Sequence, residues 1–311
     1  MIFKLYPAHK DYLWGGTRLN KEFGKNREGI VAETWELSIH PDGTSTIVDS
    51  DSPYNNRPLT EYLKDHPEAI GNDKELPILI KFIDAEKDLS IQVHPDDAYG
   101  LANEGQNGKT ECWYILDAEP GAFLYYGVNR ELSKEEFRSA IENGTLLDVL
   151  NKVPVKKGDF FFIPAGTVHA IGAGIMIAEI QQNSNVTYRV YDFNRRDANG
   201  NLRELHVDKA IEVSTLTPPK TDYDFGGHLC QCEYFTVDKV QVRSELSCNP
   251  QNHQGKTGFH SLLILEGEGS ITDGEITYPL TKGDSFFITA DHNLYTLNGS
   301  FTMLQTTLGT H

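Results

Sequence analysis

A chain of 311 residues with 39% hydrophobic content is long enough for two packed domains. Its 28 Lys and Arg against 45 Asp and Glu leave a formal charge of −17, which excludes nucleic acid and anionic membranes as partners because both need clustered cations. A small anionic substrate remains compatible, held by a local basic patch.

No run approaches the roughly 18 apolar residues of a membrane helix. The opening Met1-Ile2-Phe3-Lys4-Leu5-Tyr6-Pro7 lacks the apolar stretch of a signal peptide, so a cytoplasmic protein is expected. Short alternating apolar segments then follow at 76–83, 90–94, 112–116, 123–126, 160–163, 175–180 and 187–191. Bounded by Gly, Pro, Asn and Asp, they predict a mainly β sandwich or barrel. Helices are few: Ser133-Lys134-Glu135-Glu136 is a capping box opening a helix that carries Phe137 and Ile141 on one face and stops at Asn143-Gly144. Two more short helices are expected over 59–70 and 205–213.

An internal echo predicts two copies of one fold. Lys157-Gly158-Asp159-Phe160-Phe161-Phe162-Ile163-Pro164 is similar to Lys282-Gly283-Asp284-Ser285-Phe286-Phe287-Ile288-Thr289, and Trp113-Tyr114-Ile115-Leu116 has an apolar counterpart in Leu262-Leu263-Ile264-Leu265. Where the first copy reaches Pro164, Gly166 and His169, the second has Thr289, Asp291 and Leu294, so its chemistry is lost. Thr217-Pro218-Pro219-Lys220-Thr221 reads as the boundary, giving a catalytic domain 1–220 and a degenerate C-terminal β domain 221–311.

Four residues form one candidate metal site: Gln92, His94, Glu111 and His169. Successive strand side chains point to opposite faces, so Gln92 and His94 share one face and Ile91 and Val93 the other. Two His and one Glu are an established catalytic zinc set, and the neutral Gln92 leaves the site singly anionic. A lone buried histidine is usually a hydrogen-bonded core residue; the joint pattern is what favours ligation. His9, His40, His66, His206, His228 and His253 fit no such pattern and read as surface or structural. Cys112, Cys230, Cys232 and Cys248 lack C-x-x-C spacing and read as reduced thiols, Cys112 facing away from the ligands.

Downstream, Glu179 and Gln181 share a face of one arm of an amphipathic hairpin, and Thr187, Arg189 and Tyr191 a face of the other. An inward charge needs a partner, so Glu179 with Arg189 is either a structural salt bridge or part of the site. The cations available for a phosphate are Lys81, Lys109, Arg189, Arg195 and Arg196, although Arg195-Arg196-Asp197-Ala198-Asn199-Gly200 reads as a solvent-exposed polar turn.

Gly158, five residues, Pro164-Ala165-Gly166, two residues and His169 match the second conserved motif of cupins. The first cupin motif is usually His-x-His followed by Glu; Gln92-Val93-His94 and Glu111 depart from it toward one family. With Trp14-Gly15-Gly16, Trp35-Glu36-Leu37-Ser38 and the segment from Glu179 to Arg189, most of residues 1–220 resembles type I phosphomannose isomerase in its short bacterial form. That resemblance implies two cupin-type β-barrels or jelly rolls (a bicupin) and one zinc on Gln92, His94, Glu111 and His169. Arg189, Glu179 and Lys109 stand beside it as catalytic residues. It further implies isomerisation of mannose 6-phosphate to fructose 6-phosphate through an enediol, with Glu179 or Lys109 as the acid/base, in a monomer or homodimer. The alternatives are an iron-dependent cupin dioxygenase, which Gln92 disfavours, and a non-catalytic sugar-phosphate-binding or regulatory cupin.

Overall fold

The computed structural model describes residues 1–310 except 51, 72–74, 197–199 and 253–256. The expectations for His253 and for the centre of the turn at 197–199 lie outside the described residues. The chain is mainly β, with five short α-helices among the described residues. No helix among them is long and apolar enough to cross a membrane.

The alternating segments become strands Ile78–Ala85, Ile91–Val93, Glu111–Ala118, Phe123–Val128, Phe160–Ile163, Ile175–Gln182 and Tyr188–Tyr191. The capping box is formed, with Ser133 Oγ accepting from Glu136 N and Glu136 Oε2 from Ser133 N, and the helix Lys134–Glu142 stops at Asn143. The segment expected as one helix over 59–70 breaks into Leu59–Asp65 and a 3₁₀ turn Pro67–Ile70, because a residue before proline is driven out of the helical region. The helix Asp97–Asn103 escaped prediction; its signal was Asp96, whose carboxylate caps Tyr99 N at 2.9 Å.

The chain divides into two compact units, Met1–Tyr12 with Thr17–Phe82 and Asp224–His311, and Leu13–Gly16 with Ile83–Tyr223. This differs from a single cut at residue 220. Strand Ile2–Tyr6 pairs antiparallel with Ser285–Ile288, so the N-terminal residues join the C-terminal unit. In that unit Lys25 Nζ meets Glu36 Oε1 at 2.6 Å, a buried ion pair that absorbs the acid of Trp35-Glu36-Leu37-Ser38.

The second unit contains a five-stranded sheet in the order Tyr188–Tyr191, Ile91–Val93, His169–Ile171, Phe123–Val128, Leu150–Pro154. One face of this sheet, with Ile91, Val93, Ala170, Tyr188 and Val190, packs on Phe137, Ala210 and Ile211 of two helices. That burial leaves the alternate positions, Gln92, His169 and Arg189, on the other face. Nearby in the same unit Phe160–Ile163, Glu111–Ala118 and Ile175–Gln182 pair in that order. The expected hairpin between Ile175–Gln182 and Tyr188–Tyr191 is not formed: the first pairs with Glu111–Ala118 and the second with Ile91–Val93. In the connection Ser184 Oγ donates to the Asn107 carbonyl at 2.7 Å.

The internal echo is visible in the pairing register. Phe161 opposes Trp113 and Ile163 opposes Glu111; Phe286 opposes Leu262 and Ile288 opposes His260. Gly158 N donates to Ile115 O and Gly283 N to Ile264 O, both glycines having φ of 92°. The positions of the two differ in crowding. A Cβ on Gly158 meets nothing nearer than Tyr114 Oη at 3.9 Å, whereas one on Gly283 would stand 2.2 Å from the Phe23 carbonyl oxygen. Gly158→Ala should therefore cost about 1–2 kcal/mol from backbone strain alone. Gly283→Ala should add roughly 1–3 kcal/mol of overlap. Urea unfolding measures both, and equal losses would refute the distinction.

Candidate metal centre

Gln92 stands at the middle of a row. Its strand partner on one side is His169 and on the other Arg189, and directly opposed residues share a face. His94 follows the same strand, and Glu111 opens the strand Glu111–Ala118. His94, Glu111 and His169 are fully buried, and a ligand atom from each lies within 4.8 Å of the others. Glu111 Oε1 is 3.2 Å from His169 Nε2, and its Oε2 is 3.7 Å from His94 Nε2. Gln92 Nε2 lies 3.4 Å from His169 Nε2. A half-turn of that amide puts Oε1 there, the atom a cation needs.

The donor set fits a metal by its chemistry. His94 Nδ1 donates to the Val186 carbonyl and His169 Nδ1 to the Thr167 carbonyl, each at 2.8 Å. Both rings are thus held with the proton on Nδ1 and the Nε2 lone pair turned to Glu111, which is how metal-binding imidazoles are oriented. Burial lowers the His169 pKa to about 4, so it is neutral as a ligand must be.

Lys109 reaches the same centre from two residues before Glu111. Its Nζ is 2.8 Å from Glu111 Oε2 and 3.2 Å from His94 Nε2, and the side chain is almost wholly buried. An ammonium and a divalent cation compete for those two atoms, so a bound metal requires Lys109 to turn its charge aside. Glu179 is joined to the centre through Trp113, whose indole donates to Glu179 Oε1 at 2.9 Å and whose ring meets His169 edge-on at 5.2 Å. Trp113 was not foreseen as a site residue; its signal was the two-residue step from Glu111.

Arg189 is placed beside Gln92 by register, but its guanidinium donates to the Glu204 carbonyl at 2.9 Å and forms no ion pair with Glu179 among the described residues. Burial, then the nearby charge of Arg203, lowers its pKa. Arg203 and Asp192 carried no motif and went unforeseen. Arg195, expected in an exposed turn, instead joins Arg203 on the buried carboxylate of Asp192, while Arg196 is exposed. Lys81 lies in the other unit, 3.6 Å from Glu33.

Two family descriptions match this chain: "Phosphomannose isomerase type I, catalytic domain" over residues 2–118, and "Mannose-6-phosphate isomerase, cupin domain" over residues 227–308. A mannose-6-phosphate isomerase of Streptococcus mutans is 42% identical over 298 residues, covering 92% of each chain. The chain belongs to the type I phosphomannose isomerase family. Mannose-6-phosphate isomerase ManA of Bacillus subtilis is 40% identical, covering 93% of this chain and 92% of its own. The crystal structure of a mannose 6-phosphate isomerase from Bacillus subtilis superposes with a TM-score of 0.89 at 36% identity, over 98% of this chain and 99% of the other. A phosphomannose isomerase chain from Salmonella typhimurium, 18% identical with a TM-score of 0.78, shares the fold. The expected mainly β cupin class and the type I phosphomannose isomerase resemblance both stand.

Proposed function

We propose that the chain interconverts mannose 6-phosphate and fructose 6-phosphate at a zinc centre on Gln92, His94, Glu111 and His169. The observation that carries this reading is the convergence of His94, Glu111 and His169 in a chain 42% identical to a mannose-6-phosphate isomerase. Relatives with isomerase names over nearly the whole chain favour it over the dioxygenase and the purely binding cupin. Two imidazoles, a carboxylate and an amide oxygen suit zinc. When bound, zinc supplies a Lewis acid for the oxyanion that develops as C2 loses its proton.

The protein groups then have distinct duties. The open-chain aldose gives its C2 proton to a base, which returns it to C1, while a proton passes from O2 to O1; the enediol lies between. Glu179 and Lys109, both buried, are the two candidate carriers of the C2 proton. Trp113 donates to one Glu179 oxygen, which orients the carboxylate. Arg189, one strand from Gln92, contributes a fixed cation for the anionic substrate.

A coupled assay with mannose 6-phosphate and added zinc tests the reading; purified, zinc-loaded protein without turnover would end it. Glu179→Gln and Lys109→Met then separate the proton carriers. Loss of the true carrier should lower exchange of the C2 proton with solvent by roughly a hundredfold or more. The other variant keeps that exchange. If both exchange at the wild-type rate, neither group is the base.

A further inference from the structure

Gln181 is fully buried, and its Oε1 has no hydrogen-bond partner among the described residues. Its Nε2 donates to the carbonyls of Gln182 at 2.8 Å and Ser184 at 2.6 Å. Carbonyls only accept, so the nitrogen end belongs there and the amide cannot be turned over without losing both bonds. The oxygen is thereby fixed at the opposite end, as an acceptor that cannot rotate away to find a donor.

The place of that oxygen gives it meaning. Gln181 stands directly opposite Glu111, as Glu179 does opposite Trp113, and opposed residues lie on one face with Cβ atoms about 4.5–5.5 Å apart. Glu111 is a member of the metal group and Trp113 touches the His169 ring. Gln181 therefore belongs to the ligand face, one strand removed from Glu111. A buried acceptor without a donor is costly, and a structural glutamine tying down the turn at Ser184 needs only its nitrogen. An acceptor at this place favours a hydroxyl and disfavours a phosphate group.

We propose that Gln181 Oε1 accepts a hydrogen bond from one hydroxyl of the sugar chain, which makes Gln181 a specificity-determining residue. The proposal rests on the isomerase reading. A site that supplies a buried partner to a substrate hydroxyl discriminates against the analogue lacking it, because the partner is then left unpaired.

The test compares wild type, Gln181→Met and Gln181→Asn on mannose 6-phosphate and on its 3-deoxy, 4-deoxy and 5-deoxy forms, with bound zinc measured for each protein. In wild type one deoxy form should lose at least about tenfold in kcat/KM. Gln181→Met should lose a similar factor on mannose 6-phosphate and no longer distinguish that deoxy form, with zinc affinity unchanged. A purely structural role would lower every substrate alike, so persistence of the wild-type ratio in the variant overturns the proposal. Activity lost in step with zinc overturns it too, making Gln181 a support for the metal. Should Gln181→Met not fold, Gln181→Asn keeps an amide but withdraws it by one methylene, and the same loss of discrimination is expected. Wild type inactive on mannose 6-phosphate would instead be a failure of the isomerase reading.

Discussion

Dialysis of the protein against a chelator is expected to abolish isomerisation, by roughly a thousandfold or more, and to leave the chain folded. The size follows from the charge the centre must stabilise, since a metal Lewis acid contributes several kcal/mol to such a transition state. The intact fold follows from where the ligands sit. Gln92, Glu111 and His169 lie on strands joined by backbone pairing, and the apolar side of the sheet holding Gln92 and His169 is packed on two helices. Circular dichroism should be unchanged while turnover disappears, and zinc should restore it. Full turnover in protein verified by elemental analysis to hold no metal would remove the metal from the reaction. Global unfolding on chelation would make it a structural ion instead.

Lys109→Met should bind zinc more tightly than wild type, and its turnover should fall at least about a hundredfold only where Lys109, rather than Glu179, carries the C2 proton. Near 3 Å from both His94 Nε2 and Glu111 Oε2, the ammonium opposes a cation on those atoms. At an effective dielectric constant near 20, unit charges about 4 Å apart interact by about 4 kcal/mol. Much of that is relieved when the long side chain swings away, so a gain of about 1.4 kcal/mol, or tenfold in affinity, is a fair expectation. Removing the ammonium also leaves the Glu111 carboxylate buried without its cation, which costs roughly 3–5 kcal/mol in the metal-free protein. The variant should thus melt well below wild type without zinc and recover with it. Competition titration with a zinc indicator reads the affinity; weaker zinc binding would show that Lys109 assists the metal rather than opposing it.

How much of this was legible depended on whether local spacing or distant pairing decided the matter. Gln92 and His94 could be given one face because strand alternation alone decides it, whereas Lys109 came only from the family resemblance; the Gly158-to-His169 motif carries its own turn, with Gly158 at φ of 92°. The fate of Glu179 and Arg189 could not be read that way. Both lie on amphipathic strands, yet only the choice of partner strand decides that Glu179 meets Trp113 while Arg189 meets Gln92 and turns to Glu204. Arg195 was misjudged for a similar reason: a polar turn reads as solvated until a buried acid, Asp192, is brought beneath it. The N-terminal residues were given to the wrong neighbours because nothing in Ile2–Tyr6 announces a partner as remote as Ser285–Ile288.

That remote pairing also sets an order of events during synthesis. The unit holding all four candidate ligand positions is drawn from Leu13–Gly16 and Ile83–Tyr223, so its sheets have every strand they need once the ribosome has passed its last residue. The other unit must wait, because strand Ile2–Tyr6 has no Ser285–Ile288 to pair with until almost the whole chain has emerged. One edge of the first strand can pair early with Thr46–Val48, but the other stays open until the end of synthesis, an unpaired edge for chaperones to cover.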